Sequence, residues 1–169
     1  YMPGSTFKII TTAAALDAGI ITRDSVWETE REFIPPQTTD PIQNYGGKEC
    51  GGTLVEVFRR SCNTPFARVA IQLGPEAMVA PAKRFGIGEP IPFDLPRPAT
   101  SQFGDIDYFT HNIPLLGIGG FGQGETQMVP LHMALVASAV ANGGSMMRPY
   151  VIAGTYDHAG KMLQRTVPT

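Results

Sequence analysis

The chain has 169 residues, 43% of them hydrophobic and 17% charged, which describes one globular domain, or a large piece of one, with ample material for a core. Its formal net charge is −2 and its 13 lysines and arginines are dispersed, so no basic patch points to nucleic acid. No run approaches the ~18 apolar residues of a membrane-spanning helix, and the 19 glycines and 15 prolines gather at turns, as loop chemistry within a folded domain.

At the start of the chain, Pro3-Gly4 punctuates the backbone and favours a helix opening at Ser5, after which Phe7, Ile10, Ala14 and Ala18 recur at helical spacing until Gly19. A separation of three places Ser5 and Lys8 about 300° apart around that helix, close enough for their side chains to meet. The hydroxyl would sit at the positive end of the helix, where free backbone N–H groups can hold an oxyanion. The amine beside it can act as a base once its ammonium is desolvated. A serine opening a helix with a solvated lysine in its first turn has the same spacing, so the pair gains meaning only from the rest of the chain.

Residues 20–41 read as an extended, proline-containing excursion with a short strand at Val26–Glu30, where Trp27 is a packing residue, and a break at Pro35-Pro36. A glycine-rich loop over 43–52 leads to Thr53 and, three residues on, Glu56, the capping-box pattern for a helix running to about Arg60. Arg59 and Arg60 suit its negative end. Ser61-Cys62-Asn63 stops that helix; Thr64 then caps and Pro65 opens the next, whose apolar face is Phe66, Val69, Ala70 and Leu73 and whose end is Gly74. Residues two apart in an extended or turn segment can project to one side, so Ser61 and Asn63 can offer a hydroxyl and a carboxamide to one cleft, although a plain polar turn uses the same residues.

A third helix is predicted over 75–85, kinked at Pro81 and closed by Gly86, followed by a long irregular connection over 87–114 of the kind that is functional or mobile. Gly117-Ile118-Gly119-Gly120-Phe121-Gly122 fits the dinucleotide-binding pattern. That assignment is rejected because no βαβ unit surrounds it and the next helix begins only near Pro130. The helix over 130–142 is apolar nearly all round, through Leu131, Met133, Ala134, Leu135, Val136, Ala137 and Val140, which predicts a deeply buried core element. Tyr150-Val151-Ile152 open a strand, Asp157-His158-Ala159-Gly160 turn, and Lys161-Met162-Leu163 return. The order predicts an α+β domain whose helical part is mostly present and whose antiparallel sheet is mostly missing. Cys50 and Cys62 make no disulfide scaffold, and whether they pair with each other in an oxidising compartment stays open. His111, His132 and His158 show no metal spacing with them, and neither a metal nor a cofactor is assigned.

These residues carry a family resemblance. Pro3-Gly4-Ser5-Thr6-Phe7-Lys8 resembles the S-x-x-K element of penicillin-binding proteins and Ser61-Cys62-Asn63 their S-x-N element. Phe85-Gly86-Ile87-Gly88, Gly122-Gln123-Gly124, Pro130-Leu131-His132-Met133-Ala134 and Ala141-Asn142-Gly143-Gly144 follow in the family's order. The chain is most similar to the transpeptidase domain of the class B, monofunctional branch, which implies the α+β penicillin-binding protein/serine β-lactamase-like fold. Residues 1–169 are then expected to be a partial domain, truncated at both ends. By resemblance, Ser5 is the acylated nucleophile that attacks the penultimate D-alanine carbonyl of a peptidoglycan stem peptide and Lys8 takes its proton. Ser61 relays a proton to the leaving group, Asn63 holds the substrate amide, and an amine of a neighbouring stem peptide completes the cross-link. The residues themselves offer the same constellation, a nucleophile, a base and an amide-recognition pair.

The resemblance further implies stem peptides and β-lactams as ligands and leaves room for partner proteins of cell-wall synthesis. It places the domain on the outer side of the cell membrane, held by an N-terminal anchor, in cell shape or division. A penicillin-sensing receptor domain, or a D,D-carboxypeptidase or serine β-lactamase, would share the acyl-enzyme. There are departures. No K-T-G element occurs; in the family it lies on a strand after the hairpin, supplies the second oxyanion donor and binds the substrate carboxylate, so the chain alone is expected to be inactive. Val129 stands where threonine is common, which weakens a cap, and His132 where glutamine is usual.

Overall fold

A computed structural model describes all of residues 1–169. The chain enters through a 3-10 turn, Gly4–Phe7, that runs directly into helix α1, Lys8–Asp17. The predicted apolar face holds for Phe7, Ile10 and Ala14, which are buried, while Ala18 lies exposed just past the helix end. α1 packs against the long helix α3, Thr64–Arg84, and α3 in turn against the short helix α5, Ile113–Gly119. One core runs through all three, with Phe7, Ile10, Phe66, Ala70, Met78 and Leu116 at or near zero exposure.

The strands form three separate antiparallel pairs. Strand β1, Val26–Glu30, as the sequence predicts, pairs with β4, Cys50–Thr53; β2, Glu32–Phe33, pairs with β3, Ile42–Gln43; β5, Gly154–Tyr156, pairs with β6, Met162–Arg165. The last pair is the expected hairpin, with Asp157 accepting from the Ala159 and Lys161 N–H groups in its turn, but its first strand starts later than predicted. Val151 and Ile152 instead donate their N–H groups to the Asp94 carboxylate, which takes them out of the ladder. The capping box at Thr53 and Glu56 is present and opens α2, Leu54–Arg59.

Further expectations change. α3 continues past Gly74, but with φ 78° and ψ 170° there the backbone breaks, so the two predicted helices exist as arms of one bent element and Pro81 is carried inside the second. The stretch over 87–114 is not irregular throughout: Asp105 accepts from the Tyr108 N–H and caps α4, Ile106–His111. Helix α6, Pro130–Ala141, is buried along one stripe only, through His132, Val136 and Ala139, while Ala134, Ala137 and Val140 face outward. Its Val129 makes no side-chain cap. His132 ties the helix down: Nε2–H donates to the Phe85 carbonyl at 2.7 Å, so Nδ1 accepts from the Ser101 hydroxyl at 2.9 Å, and Ser101 Oγ accepts from the Val129 N–H.

The glycines that mimic a nucleotide loop serve helix packing. Gly120 has φ −60° and ψ −20°, a backbone any residue can adopt, but a Cβ there would lie 2.3 Å from Ala70 Cβ and 3.0 Å from the Phe66 carbonyl of α3. Gly120→Ala is therefore expected to lower stability by about 1–3 kcal/mol through overpacking of the α3–α5 contact, read as a reduced urea midpoint at unchanged slope. A variant as stable as the parent would mean that the two helices separate freely at this point.

Candidate active site

α2 ends in a Schellman motif: the Cys62 N–H donates to the Val57 carbonyl at 3.0 Å and the Ser61 N–H to the Phe58 carbonyl at 3.1 Å. This motif needs a residue in the left-handed region, ordinarily glycine, and Ser61 fills it with φ 60°. A side chain there costs on the order of 1–2 kcal/mol. The conformation turns both the carbonyl and the hydroxyl of Ser61 toward Lys8. The next residue, Cys62, is buried and bonded to Cys50 of β4, so the turn is covalently fixed to the β1–β4 pair; the pairing left open by the sequence is made.

Lys8 lies beneath this turn, 2% exposed. Its Nζ is 3.1 Å from Ser5 Oγ, 2.8 Å from the Ser61 carbonyl oxygen, 3.1 Å from Ser61 Oγ and 2.9 Å from Asn63 Oδ1. The structure thus brings all four candidate residues together. Lys8 forms no ion pair, and the rings of Phe66 and Phe121 sit 5.3 and 5.9 Å from its nitrogen. Burial therefore pulls its pKa down to about 8 from the ordinary 10.5. The folded state then binds fewer protons than the unfolded state between those two values, so stability rises as pH climbs through that window. At neutral pH the buried charge costs on the order of 3 kcal/mol.

The Ser61 carbonyl and Asn63 Oδ1 can only accept, so a neutral Lys8 amine gives them its two hydrogens and leaves its lone pair facing the two hydroxyls. That is a base aimed at Ser5 or Ser61. Ser5 itself is exposed, on the 3-10 turn held by a Gly4 N–H to Gly122 carbonyl bond of 2.8 Å, and its own N–H has no acceptor within the chain. An exposed hydroxyl, a desolvated amine and a free N–H at a helix start are the parts of an acyl-transfer site.

Asn63 Oδ1 faces Lys8 and its Nδ2 donates to the Gln43 carbonyl at 3.1 Å, leaving one amide hydrogen to spare. Asn63, not the expected Thr64, takes the N-cap position of α3, with no side-chain cap bond of its own, and the Thr64 hydroxyl lies 3.2 Å from Asn44 Nδ2. The sequence reading missed Asn44, 4% exposed, since an asparagine in a glycine-rich loop looks like an ordinary turn residue. Phe66 is predicted only as part of an apolar helix face and Phe121 appears only within the rejected glycine-rich pattern; that their rings sit over the lysine carries no sequence signal.

The family model for the penicillin binding protein transpeptidase domain matches residues 1–169. The chain is 40% identical over 160 residues to the peptidoglycan D,D-transpeptidase PbpA of Mycobacterium tuberculosis H37Rv, covering 90% of this chain and 31% of that protein. Among solved structures, penicillin-binding protein A from M. tuberculosis as its penicillin G acyl-enzyme superimposes with a TM-score of 0.90 at 35% identity, over all of this chain and 39% of that one. The D,D-transpeptidase domain of a peptidoglycan glycosyltransferase from Eggerthella lenta gives 0.90 at 28% identity, over all of this chain and 43% of the other. The chain thus spans about a third of the length of the curated relatives it matches.

Strain at the turn can be separated from the chemistry of its hydroxyl. Ser61→Gly and Ser61→Ala both remove the hydroxyl, but only alanine keeps a Cβ at φ 60°. Ser61→Gly is expected to be the more stable by about 1 kcal/mol in urea unfolding. Equal stabilities would show that the left-handed backbone carries no cost here.

Proposed function

The chain belongs to the penicillin-binding protein transpeptidase family, as its class B resemblance implied, and from that premise we propose that the full-length protein is a peptidoglycan D,D-transpeptidase acting through an acyl-enzyme on Ser5. The observation that carries this reading is the uncompensated Lys8 amine, held by oxygens of both motifs at once. In the proposed reaction neutral Lys8 takes the Ser5 proton as Oγ attacks the penultimate D-alanine carbonyl of a stem peptide. The oxyanion forms beside the Ser5 N–H. Collapse of the tetrahedral intermediate breaks the peptide bond, Ser61 passes the proton to the departing amine of the terminal D-alanine, and an ester on Ser5 remains. The spare Asn63 amide hydrogen meets the substrate amide carbonyl. The amine of a second stem peptide then attacks the ester carbonyl; Lys8 takes the proton this amine loses and hands it to Ser5 Oγ as the ester C–O bond breaks, which leaves the cross-link, free Ser5 and a neutral Lys8. A β-lactam enters by the same attack, its ring C–N bond opening, and stays as the ester.

The Cys50–Cys62 bond supports an oxidising compartment, which agrees with the outer side of the cell membrane, where peptidoglycan lies. Partner proteins of cell-wall synthesis belong to the same proposal.

Incubation of the full-length protein with benzylpenicillin should add one ligand mass by intact-mass spectrometry, and Ser5→Ala should remove the adduct. Folded wild type that stays unmodified would end the acyl-transfer reading. The acylation rate is expected to rise with pH through an inflection near 8, the value set by the buried lysine. Lys8→Ala should slow acylation by at least about 100-fold while leaving the protein folded; wild-type rates in that variant would remove Lys8 from the role of base.

A further inference from the structure

Asn63 and Ser61 can serve Lys8 only if their turn stays at one height above it, and the disulfide at Cys62 fixes that turn at its middle residue alone. The far side of the turn is held by Asn44, which lies just after β3 and is 4% exposed. Its Oδ1 accepts from the Asn63 N–H at 2.7 Å and from the Thr64 N–H at 3.1 Å, the two backbone donors that open α3. Its Nδ2 donates to the Glu30 carbonyl at 2.9 Å and the Arg31 carbonyl at 3.3 Å, at the end of β1, and lies 3.2 Å from the Thr64 hydroxyl. The preceding residue, Gln43, offers its carbonyl to Asn63 Nδ2. One buried carboxamide thus joins β1, the β3 loop and the start of α3 at the residue that contacts the lysine.

The full set of bonds needs a carboxamide. A carboxylate would face the Glu30 and Arg31 carbonyls with no hydrogen to give, and an aliphatic side chain would leave the half-buried Asn63 N–H and the buried Thr64 N–H without this acceptor. Such completeness is more than a surface turn requires, since a solvated turn can satisfy its N–H groups with water.

Resting on the acyl-transfer reading, we propose that Asn44 is a positioning residue for Lys8: through the Asn63 peptide it sets where Asn63 Oδ1 and the Ser61 carbonyl stand, and so which way the lysine lone pair points. Asn44 touches neither Ser5 nor Lys8, and it acts through Asn63. With Asn44 in place the two obligate acceptors take the two amine hydrogens and the lone pair is left for the hydroxyls. When the Asn63 peptide drifts, the amine can turn a hydrogen toward Ser5 and the proton transfer fails. The groups facing Lys8 are the hydroxyls of Ser5 and Ser61, the Ser61 carbonyl, the Asn63 carboxamide and the rings of Phe66 and Phe121, none of them charged. A negative charge placed at residue 44 would therefore be the nearest new term in the lysine's electrostatics.

The test measures acylation of the full-length protein by benzylpenicillin, separated into a dissociation constant and a limiting rate, across pH, for wild type, Asn44→Ala and Asn44→Asp. Asn44→Ala is expected to lower the limiting rate by about 10- to 100-fold with little change in the dissociation constant. Asn44→Asp keeps the volume and the acceptor for both N–H groups and gives up only the bonds to the Glu30 and Arg31 carbonyls, so it serves even where the alanine variant, which loses both sets, does not fold. Its carboxylate should hold the lysine proton more tightly and move the inflection to higher pH. A purely structural asparagine would lower the melting temperature of both variants and leave limiting rate and inflection where they are, and that result overturns the proposal. So does a loss confined to the dissociation constant, or failure of both variants to fold. Should wild type itself resist acylation while folded, the acyl-transfer reading falls and this inference with it, whereas an acylated wild type with equally fast Asn44 variants sinks the inference alone.

Discussion

The arrangement depends on an ammonium taken out of water with no anion to meet it. Most buried lysines are paired, and a carboxylate within reach would hold the proton in place and end any use of Lys8 as a base. Here the charge meets only neutral oxygens and two aromatic faces. Neutral acceptors stabilise the ammonium enough for the chain to fold around it, but they leave its affinity for the proton lowered. Every element near the site serves that balance: α1 carries the lysine, α3 supplies Phe66, the segment after α5 supplies Phe121, and the turn between α2 and α3 delivers three of the four oxygens.

The turn explains why so much unusual geometry gathers in three residues. A carbonyl, a hydroxyl and a carboxamide must reach one nitrogen from residues 61 and 63, and an ordinary helix end would aim at least one of them elsewhere. The Schellman closure with Ser61 in the left-handed region solves the aim at the cost of strain. Cys62 then points into the core, away from the lysine, where its sulfur reaches Cys50. The alternation of side chains along the turn therefore does two jobs: outer residues to the site, the middle residue to the scaffold.

Much of this was legible beforehand, for identifiable reasons. The helical turn near Ser5, which is a 3-10 turn leading into α1, the strand Val26–Glu30, the capping box at Thr53 and the helix break at Gly74 rest on local signals, namely periodicity, caps and glycine. The grouping of Ser5, Lys8, Ser61 and Asn63 was foreseeable because spacing suggested two of them and family order tied all four together. What stayed hidden is tertiary. α6 looked buried all round because its composition is apolar, but burial depends on how many neighbours surround the helix, and only the stripe of His132, Val136 and Ala139 has them. The Asp105 cap of α4 was lost among prolines. Asn44 could not be seen at all, because its importance comes from backbone donors 19 and 20 residues away.

The site also sets a problem of stability that the rest of the fold has to answer. Burying Lys8 opposes folding at neutral pH by on the order of 3 kcal/mol, and the left-handed Ser61 adds on the order of 1–2 more. Total stabilities of domains are only about 5–15 kcal/mol, so these are large fractions. The disulfide is placed where it can answer them most directly. Cys50 and Cys62 are separated by 12 residues, and closing a loop of that size in the unfolded chain is worth about 3 kcal/mol in the chain-entropy account. It closes the loop that contains all of α2 and the strained turn, and so constrains the segment whose native geometry costs most. The core formed by α1, α3 and α5, with Gly120 allowing close approach, then holds the lysine's own helix against that fixed turn. Strain and desolvation at the site are thus balanced by a covalent bond on one side of Lys8 and by tight apolar packing on the other, which keeps the amine dry and aimed without supplying the counter-charge that would silence it.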